Sequence, residues 1–234
     1  MVKKYKKTDT LSYALGATVT MELLNKRPKL ARAVYVSTKS NVDAATAKAR
    51  EVGVPIIEGD KAFNILSPKE NCYIIGEFDK FETRARAERH HVVLVNPSNS
   101  GNLGTIMRDV AAFDCADLII IRPAADMFDP KTVRASMGAV FDINTECFDS
   151  FEEYEQKYGS GDREIVPFML GGSPFKDKTF VADKKYSLVF GNEATGLPSE
   201  FNKYNALKIE QSSKVDSLNL SVAVSVALYK LFVS

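Results

Sequence analysis

Leu188-Val189-Phe190-Gly191-Asn192-Glu193-Ala194-Thr195-Gly196-Leu197-Pro198 runs from an apolar strand pattern into a loop bracketed by two glycines and carrying one carboxylate. Two other stretches share this grammar. Asn96-Pro97-Ser98-Asn99-Ser100-Gly101-Asn102-Leu103-Gly104-Thr105-Ile106-Met107-Arg108 follows the apolar run His91 to Val95, and Ser217-Leu218-Asn219-Leu220-Ser221-Val222-Ala223 leads into an apolar C-terminal segment. Each sets small or amide-bearing residues where a buried strand or helix meets a loop. Loops at strand ends are where α/β proteins bind ligands.

Outward from these stretches the chain alternates strand and helix patterns, which predicts an α/β fold. His91 to Val95, Leu118 to Ile121, Ile165 to Leu170 and Tyr186 to Phe190 are near-continuous apolar runs, as central strands covered on both faces require. Ala206 to Ile209 predicts a shorter strand, and Leu218 to Phe232 a terminal helix. Towards the N-terminus, Leu11 to Leu24 carries apolar residues at helical spacing. Ala31 to Val36, Val54 to Ile57 and Cys72 to Ile75 predict strands, with Asn41 a candidate cap for a helix through Ala44 to Ala49. Between the two halves, Asp79 to Arg89 is rich in charge and poor in large aliphatics, which reads as a solvated linker. The expected division is residues 1–84 and residues 85–234.

The bulk composition is that of an ordinary globular protein, with 45% hydrophobic and 26% charged residues. No apolar run reaches the roughly 20 residues that cross a bilayer, and the basic start Lys3-Lys4 has no apolar stretch after it. The expectation is a cytoplasmic protein. The three cysteines, Cys72, Cys115 and Cys147, are widely spaced, and the two histidines, His90 and His91, are adjacent. Buried reduced thiols and no metal site are therefore expected. With a net charge of +1, a nucleic-acid surface requires basic residues gathered on one face.

Standard nucleotide motifs are absent. No GxGxxG follows a strand. Gly191 and Gly196 have P-loop spacing, but Leu197-Pro198 stands where that loop needs Lys-Ser/Thr. What the three stretches do match is a set of signatures: Asn102 to Arg108, Phe190 to Leu197 and Ser217 to Ala223 resemble, in order and spacing, the three motifs of the SpoU/TrmH family of the SPOUT superfamily. Arg134-Ala135-Ser136-Met137-Gly138-Ala139 resembles a fourth common stretch. The resemblance spans roughly residues 91 to 234. Residues 1 to 84 resemble, more weakly, that family's small L30e-like substrate-binding domain.

The resemblance implies an S-adenosylmethionine-dependent RNA ribose 2′-O-methyltransferase acting on tRNA or rRNA. It further implies a mostly parallel sheet in a domain knotted as a trefoil, and a homodimer with methyl-donor pockets beside the knot. It places the donor near Gly191, Asn192, Gly196, Ile209, Gln211, Ser217 and Leu218, and catalysis on Arg108, Asn102, Glu193, Asn219 and Ser221. Rival readings are a SPOUT base methyltransferase and an inactive RNA-binding or ribosome-assembly factor.

The residues have physical readings of their own. Glycines at 191 and 196 let backbone approach a ligand closely. Glu193 needs a partner, either backbone amides or a cation of the opposite subunit. Asn102 either caps its helix or holds a ribose or phosphate, and Asn219 and Ser221 either cap the terminal helix or contact donor or ribose. A guanidinium is locked as a cation, so Arg108 is expected to stabilise a developing alkoxide rather than act as a base. Lys26, Arg27, Lys29 and Arg32 form the candidate RNA-facing surface. One departure stands out: Glu210 follows Ile209 where the family commonly has proline, which fixes φ as glutamate does not.

Overall fold

The computed structural model describes residues 2–39, 43–67 and 71–234. The chain forms two compact units, one of Met1–Phe81 with Asp126–Asp142, the other of Glu82–Ala125 with Ile143–Ser234.

The first unit contains β1 (Leu11–Leu15), α1 (Ala17–Lys26), β2 (Ala31–Val36), α2 (Asp43–Glu51), β3 (Ile56–Glu58), α3 (Lys61–Leu66) and β4 (Ile74–Asp79). Its sheet has the order β1-β4-β2-β3, with β4 antiparallel to both neighbours and β2 parallel to β3. The helical spacing over Leu11 to Leu24 misled at its start, since Leu11–Leu15 is a strand. Pairing with β4 buries both faces of β1, and Gly16, at φ 100, breaks the chain between strand and helix. The other strands lie close to expectation, with β3 and β4 each shifted two residues later than the predicted starts. Asn41 lies outside the described residues.

The second unit contains β5 (His90–Val95), α4 (Ser100–Phe113) and β6 (Ala116–Ile121), after which the chain crosses into the first unit and forms α5 (Pro130–Ala135) there. It returns for β7 (Thr145–Phe148), α6 (Phe151–Tyr158), β8 (Glu164–Pro174), β9 (Tyr186–Phe190), β10 (Leu207–Lys208) and α7 (Leu220–Phe232). All strand pairs are parallel, in the order β10-β8-β9-β5-β6-β7. Strand order reverses between β5 and β9, the position where open parallel sheets leave a crevice at their carboxyl ends.

Two expectations change here. A single boundary at 84/85 does not describe the compact units, because Asp126–Asp142 returns to the first. Nor is Asp79 to Arg89 a solvated linker. Thr83 Oγ1 donates to the Thr145 carbonyl at 2.7 Å, Ala85 is buried, and Arg86 holds the buried Asp117 carboxylate through its backbone N–H (2.8 Å), Nε (3.1 Å) and guanidinium (2.7 Å). Arg86 and Arg89 pair with Asp117 and Asp114 of the second unit, and Asp79 and Lys80 with Arg32 and Asp126 of the first. Of the cysteines, Cys72 is buried and Cys115 and Cys147 are half-buried; all are free thiols. No helix among the described residues is long and apolar enough to cross a membrane.

At the amino ends of the strands lies a buried polar cluster. His91 is fully buried, with Nδ1 2.9 Å from the Tyr154 hydroxyl and Nε2 3.0 Å from the Arg86 carbonyl; Tyr154 reaches Ser187 Oγ at 2.5 Å. Burial, and then the Arg163 charge, push the His91 imidazole down to about 4. The unfolded chain therefore takes up a proton near pH 6.5 that the folded one refuses until about pH 4. Stability fully present above pH 6.5 should be lost progressively over that window, by on the order of 3 kcal/mol for this group. Urea unfolding midpoints measured from pH 7 to pH 4 check this, and a His91→Gln variant should show a shallower decline.

Candidate active site

The loop after β5 is set by Asn96, which adopts φ 53, and by Asn99, whose side-chain oxygen accepts from the N–H groups of Gly101 (2.8 Å) and Asn102 (3.0 Å). Asn99 is thus the cap of α4. Asn102, expected to open this helix, sits within its first turn. With the cap supplied elsewhere, its amide is free for tertiary contacts. Its Nδ2 donates to Glu193 Oε1 at 3.2 Å, and its Oδ1 accepts from Asn219 Nδ2 at 3.1 Å.

Glu193 lies in the glycine-bracketed loop after β9. Gly196 takes φ 68 and its N–H returns to the Asn192 carbonyl at 2.9 Å. Asn192 Oδ1 accepts from the N–H of Ala194 (2.9 Å), and its Nδ2 donates to the Asn96 carbonyl at 2.7 Å, tying this loop to the end of β5. Where the loop closes there is no room at Gly191, since a Cβ there would lie 2.1 Å from the Gly196 carbonyl carbon. The Glu193 carboxylate accepts from Ser98 N (3.0 Å), Ser98 Oγ (2.9 Å), Asn99 N (3.1 Å) and Asn102 Nδ2. Burial pushes this carboxyl up, but the hydrogen bonds from the Ser98 backbone, its own backbone, Asn102 and the Ser98 hydroxyl outweigh it and hold it below the usual range. Of the two partners foreseen for Glu193, backbone amides are the ones in place, at the N-terminus of α4 where a negative charge is favoured.

Asn219 caps α7, its Oδ1 accepting from Ser221 N (2.9 Å) and Ser221 Oγ (2.8 Å), while its Nδ2 is the donor to Asn102. Capping and site contact therefore coexist in this residue. Ser221 faces Asn219 within the cap.

Beside this chain of side chains opens a cavity of about 460 Å³, a size that suits a nucleoside-bearing small molecule. Gly191, Asn192, Gly196, Ile209, Gln211, Ser217 and Leu218 all line it, as does Glu193. Its apolar wall includes Phe168 and Phe190, stacked with centroids 4.6 Å apart and rings within 4° of parallel, together with Leu207 and Leu220. A flat heterocycle fits against such walls, with backbone groups at its edge. Asn102, Asn219, Ser221 and Arg108 do not line the cavity. Sequence reasoning gave no role to Ser98, Asn99 or Phe168; the Ser-Asn pair ahead of an apolar helix was the signal available for the first two.

Arg108 stands apart. Six positions beyond Asn102, it lies ~9 Å along α4 and about 120° around it. Its side chain is exposed and forms no hydrogen bond or ion pair with a described residue. The basic residues of the first unit differ in kind. Lys26 pairs with Asp142 at 3.1 Å, Arg27 donates to the Phe141 carbonyl at 3.0 Å and covers the Phe81 ring, and Arg32 pairs with Asp79 at 2.5 Å. Lys29 is exposed.

A parallel sheet with a cavity at the carboxyl ends of β8, β9 and β10, and beside it a half-buried carboxylate linked through Asn102 to Asn219, makes an α/β domain without a Walker or dinucleotide loop. The model of the SpoU rRNA Methylase family matches residues 89–229, and the chain belongs to that family. A Listeria innocua protein provisionally named a tRNA (cytidine(34)-2′-O)-methyltransferase is 32% identical over 146 residues, 60% of this chain and 85% of that protein. The Bacillus subtilis 23S rRNA (guanosine(2553)-2′-O)-methyltransferase RlmP is 21% identical over 232 residues, 97% of this chain and 91% of its own length. Among solved structures, the AdoMet-bound rRNA methyltransferase of Sinorhizobium meliloti superposes with a TM-score of 0.79 at 25% identity, covering 94% of this chain and 86% of that one.

Proposed function

We propose that this protein transfers the methyl group of S-adenosylmethionine to a ribose 2′-hydroxyl of tRNA or rRNA, with the donor in the cavity beside Gly191 and the acceptor sugar at Asn102. The observation that carries this reading is the hydrogen-bonded chain Glu193–Asn102–Asn219, which joins all three motif segments at the cavity's edge. The donor, when bound, would supply an electrophilic methyl on a sulfonium, the carbon–sulfur pair returning to sulfur as the carbon–oxygen bond forms and the hydroxyl proton leaving to the adjacent phosphate or to solvent. The protein's share is positioning and charge. Glu193, held ionised by four donors, fixes the Asn102 amide, and Asn219 fixes its other end. Asn102 is thereby pre-oriented to hold the ribose or an adjacent phosphate.

Arg108 supplies the cation for the developing alkoxide from a second copy of the chain. Its position on α4, away from the cavity of its own chain, supports a site completed by a partner. A dimer surface is available on α7, where Val222, Val226, Tyr229 and Phe232 are 46%, 40%, 59% and 58% exposed along one stripe. Hence the protein works as a homodimer, in the cytoplasm, with the trefoil knot of its family built around the passage from β10 to α7. The first unit, Met1–Phe81 with Asp126–Asp142, is an L30e-like module that engages RNA. Since Lys26, Arg27 and Arg32 already have partners there, Lys29 is the residue of that set freest to meet a phosphate.

The test is to incubate purified protein with methyl-labelled donor and tRNA or rRNA from cells lacking ribose methylation, then digest with alkali. Label in alkali-resistant dinucleotides is expected, because a 2′-O-methyl blocks cleavage at its own linkage. Label in bases, or none, would refute the reading.

A further inference from the structure

We propose that Glu210 is a positioning residue for the methyl donor, doing by a carboxylate clamp what a fixed φ would do at the same point of the cavity rim. The proposal rests on the donor reading of the cavity given above. β10 ends at Lys208, and the following segment contributes Ile209, Gln211, Ser217 and Leu218 to the cavity without strand pairing to hold it. Two tethers replace that pairing. Gln211 Nε2 donates to the carbonyls of Val215 (3.3 Å) and Asp216 (3.0 Å), closing the loop on itself. Glu210 receives the Lys176 backbone N–H on both carboxylate oxygens, at 3.2 and 3.3 Å.

Lys176 belongs to the turn Phe175–Asp177 at the end of β8, and this turn is gripped from its other side. Lys230 of α7 donates to the carbonyls of Phe175 (2.5 Å) and Lys176 (2.8 Å), with its ammonium 4.6 Å from the Phe175 ring centre. Phe175 in turn meets Phe168, part of the cavity wall, edge to face at 5.1 Å. A cation on the turn's carbonyls and an anion on its amide thus bind rim, turn and helix α7 into one piece. Glu210 is not among the residues with positive φ, the region closed to proline. A rim held this way meets the donor preorganised, and loss of the clamp makes binding bear the cost of ordering it.

The experiment is donor calorimetry with steady-state kinetics on full-length protein. E210A should weaken S-adenosylmethionine binding by about tenfold and raise the donor KM in step, with kcat at saturating donor unchanged. E210P should return affinity to within about twofold of wild type, since it fixes the same segment by its ring. E210Q, which keeps an acceptor for the Lys176 N–H, should lie between, and it decides the matter if the proline variant does not fold. Wild-type affinity in E210A, or an E210Q as weak as E210A in the absence of proline rescue, overturns the clamp. If wild-type protein itself binds no donor, the cavity assignment falls; if wild type binds and E210A is unaltered, only the clamp does.

Discussion

Arg108→Ala is expected to lower kcat by about a thousandfold while leaving donor affinity as in the wild type. The magnitude is that of removing one preorganised charge from a developing oxyanion, roughly 10²–10³ in rate. Donor binding should survive because Arg108 does not line the cavity of its own chain. The proposed placement of the guanidinium in a partner's site has a sharper consequence. Gly191→Ala puts a Cβ 2.1 Å from backbone and should destroy the donor pocket, yet it leaves Arg108 intact. Mixed after unfolding and refolding together, these two inactive variants should regain about a quarter of wild-type activity, from heterodimers with one competent site. No recovery in verified heterodimers would mean that the arginine acts within its own chain or not at all.

Glu193→Gln should reduce kcat/KM by about a hundredfold, with a smaller loss of thermal stability. Four donors converge on the carboxylate, from Ser98 N, Ser98 Oγ, Asn99 N and Asn102 Nδ2. An amide of the same shape brings two hydrogens of its own towards them and removes the charge that strengthens each bond. The Asn102 side chain then loses one of its two anchors and is held only by Asn219 Nδ2 on its Oδ1. Kinetics on Glu193→Gln beside Asn102→Ala give the check. If the two act as one unit, the double variant should be barely worse than either single one. Activity within twofold of wild type in Glu193→Gln would remove the carboxylate from the site.

Much of this was legible in the chain itself. Continuous apolar runs such as Leu118 to Ile121 marked strands buried on both faces, and the mostly parallel sheet followed from the resemblance to SpoU/TrmH proteins. Gly191, Gly196, Ile209 and Leu218 were singled out through the family resemblance, and all of them line one cavity. Where reading failed, a distant partner had decided. The helical spacing of Leu11 to Leu24 was real but was overruled at Leu11–Leu15 by pairing with β4, some sixty residues away in the sequence. The charge of Arg86 looked solvent-bound because the carboxylate that claims it, Asp117, lies in a strand some thirty residues on. Asn102 looked like a cap because Asn99, three positions earlier, could play that part equally well on paper.

By itself the sequence determined the class of fold, the loops at the strand ends and the residue types within them, because those depend on local apolar pattern and on which side chains a tight loop admits. Tertiary structure alone decided where each polar side chain ends up: that Glu193 takes amides from the α4 terminus, that Asn102 faces Asn219, and that Arg108 lies outside the cavity lining. Such choices are settled by three-dimensional proximity between segments roughly a hundred residues apart, and no periodicity along the chain encodes them.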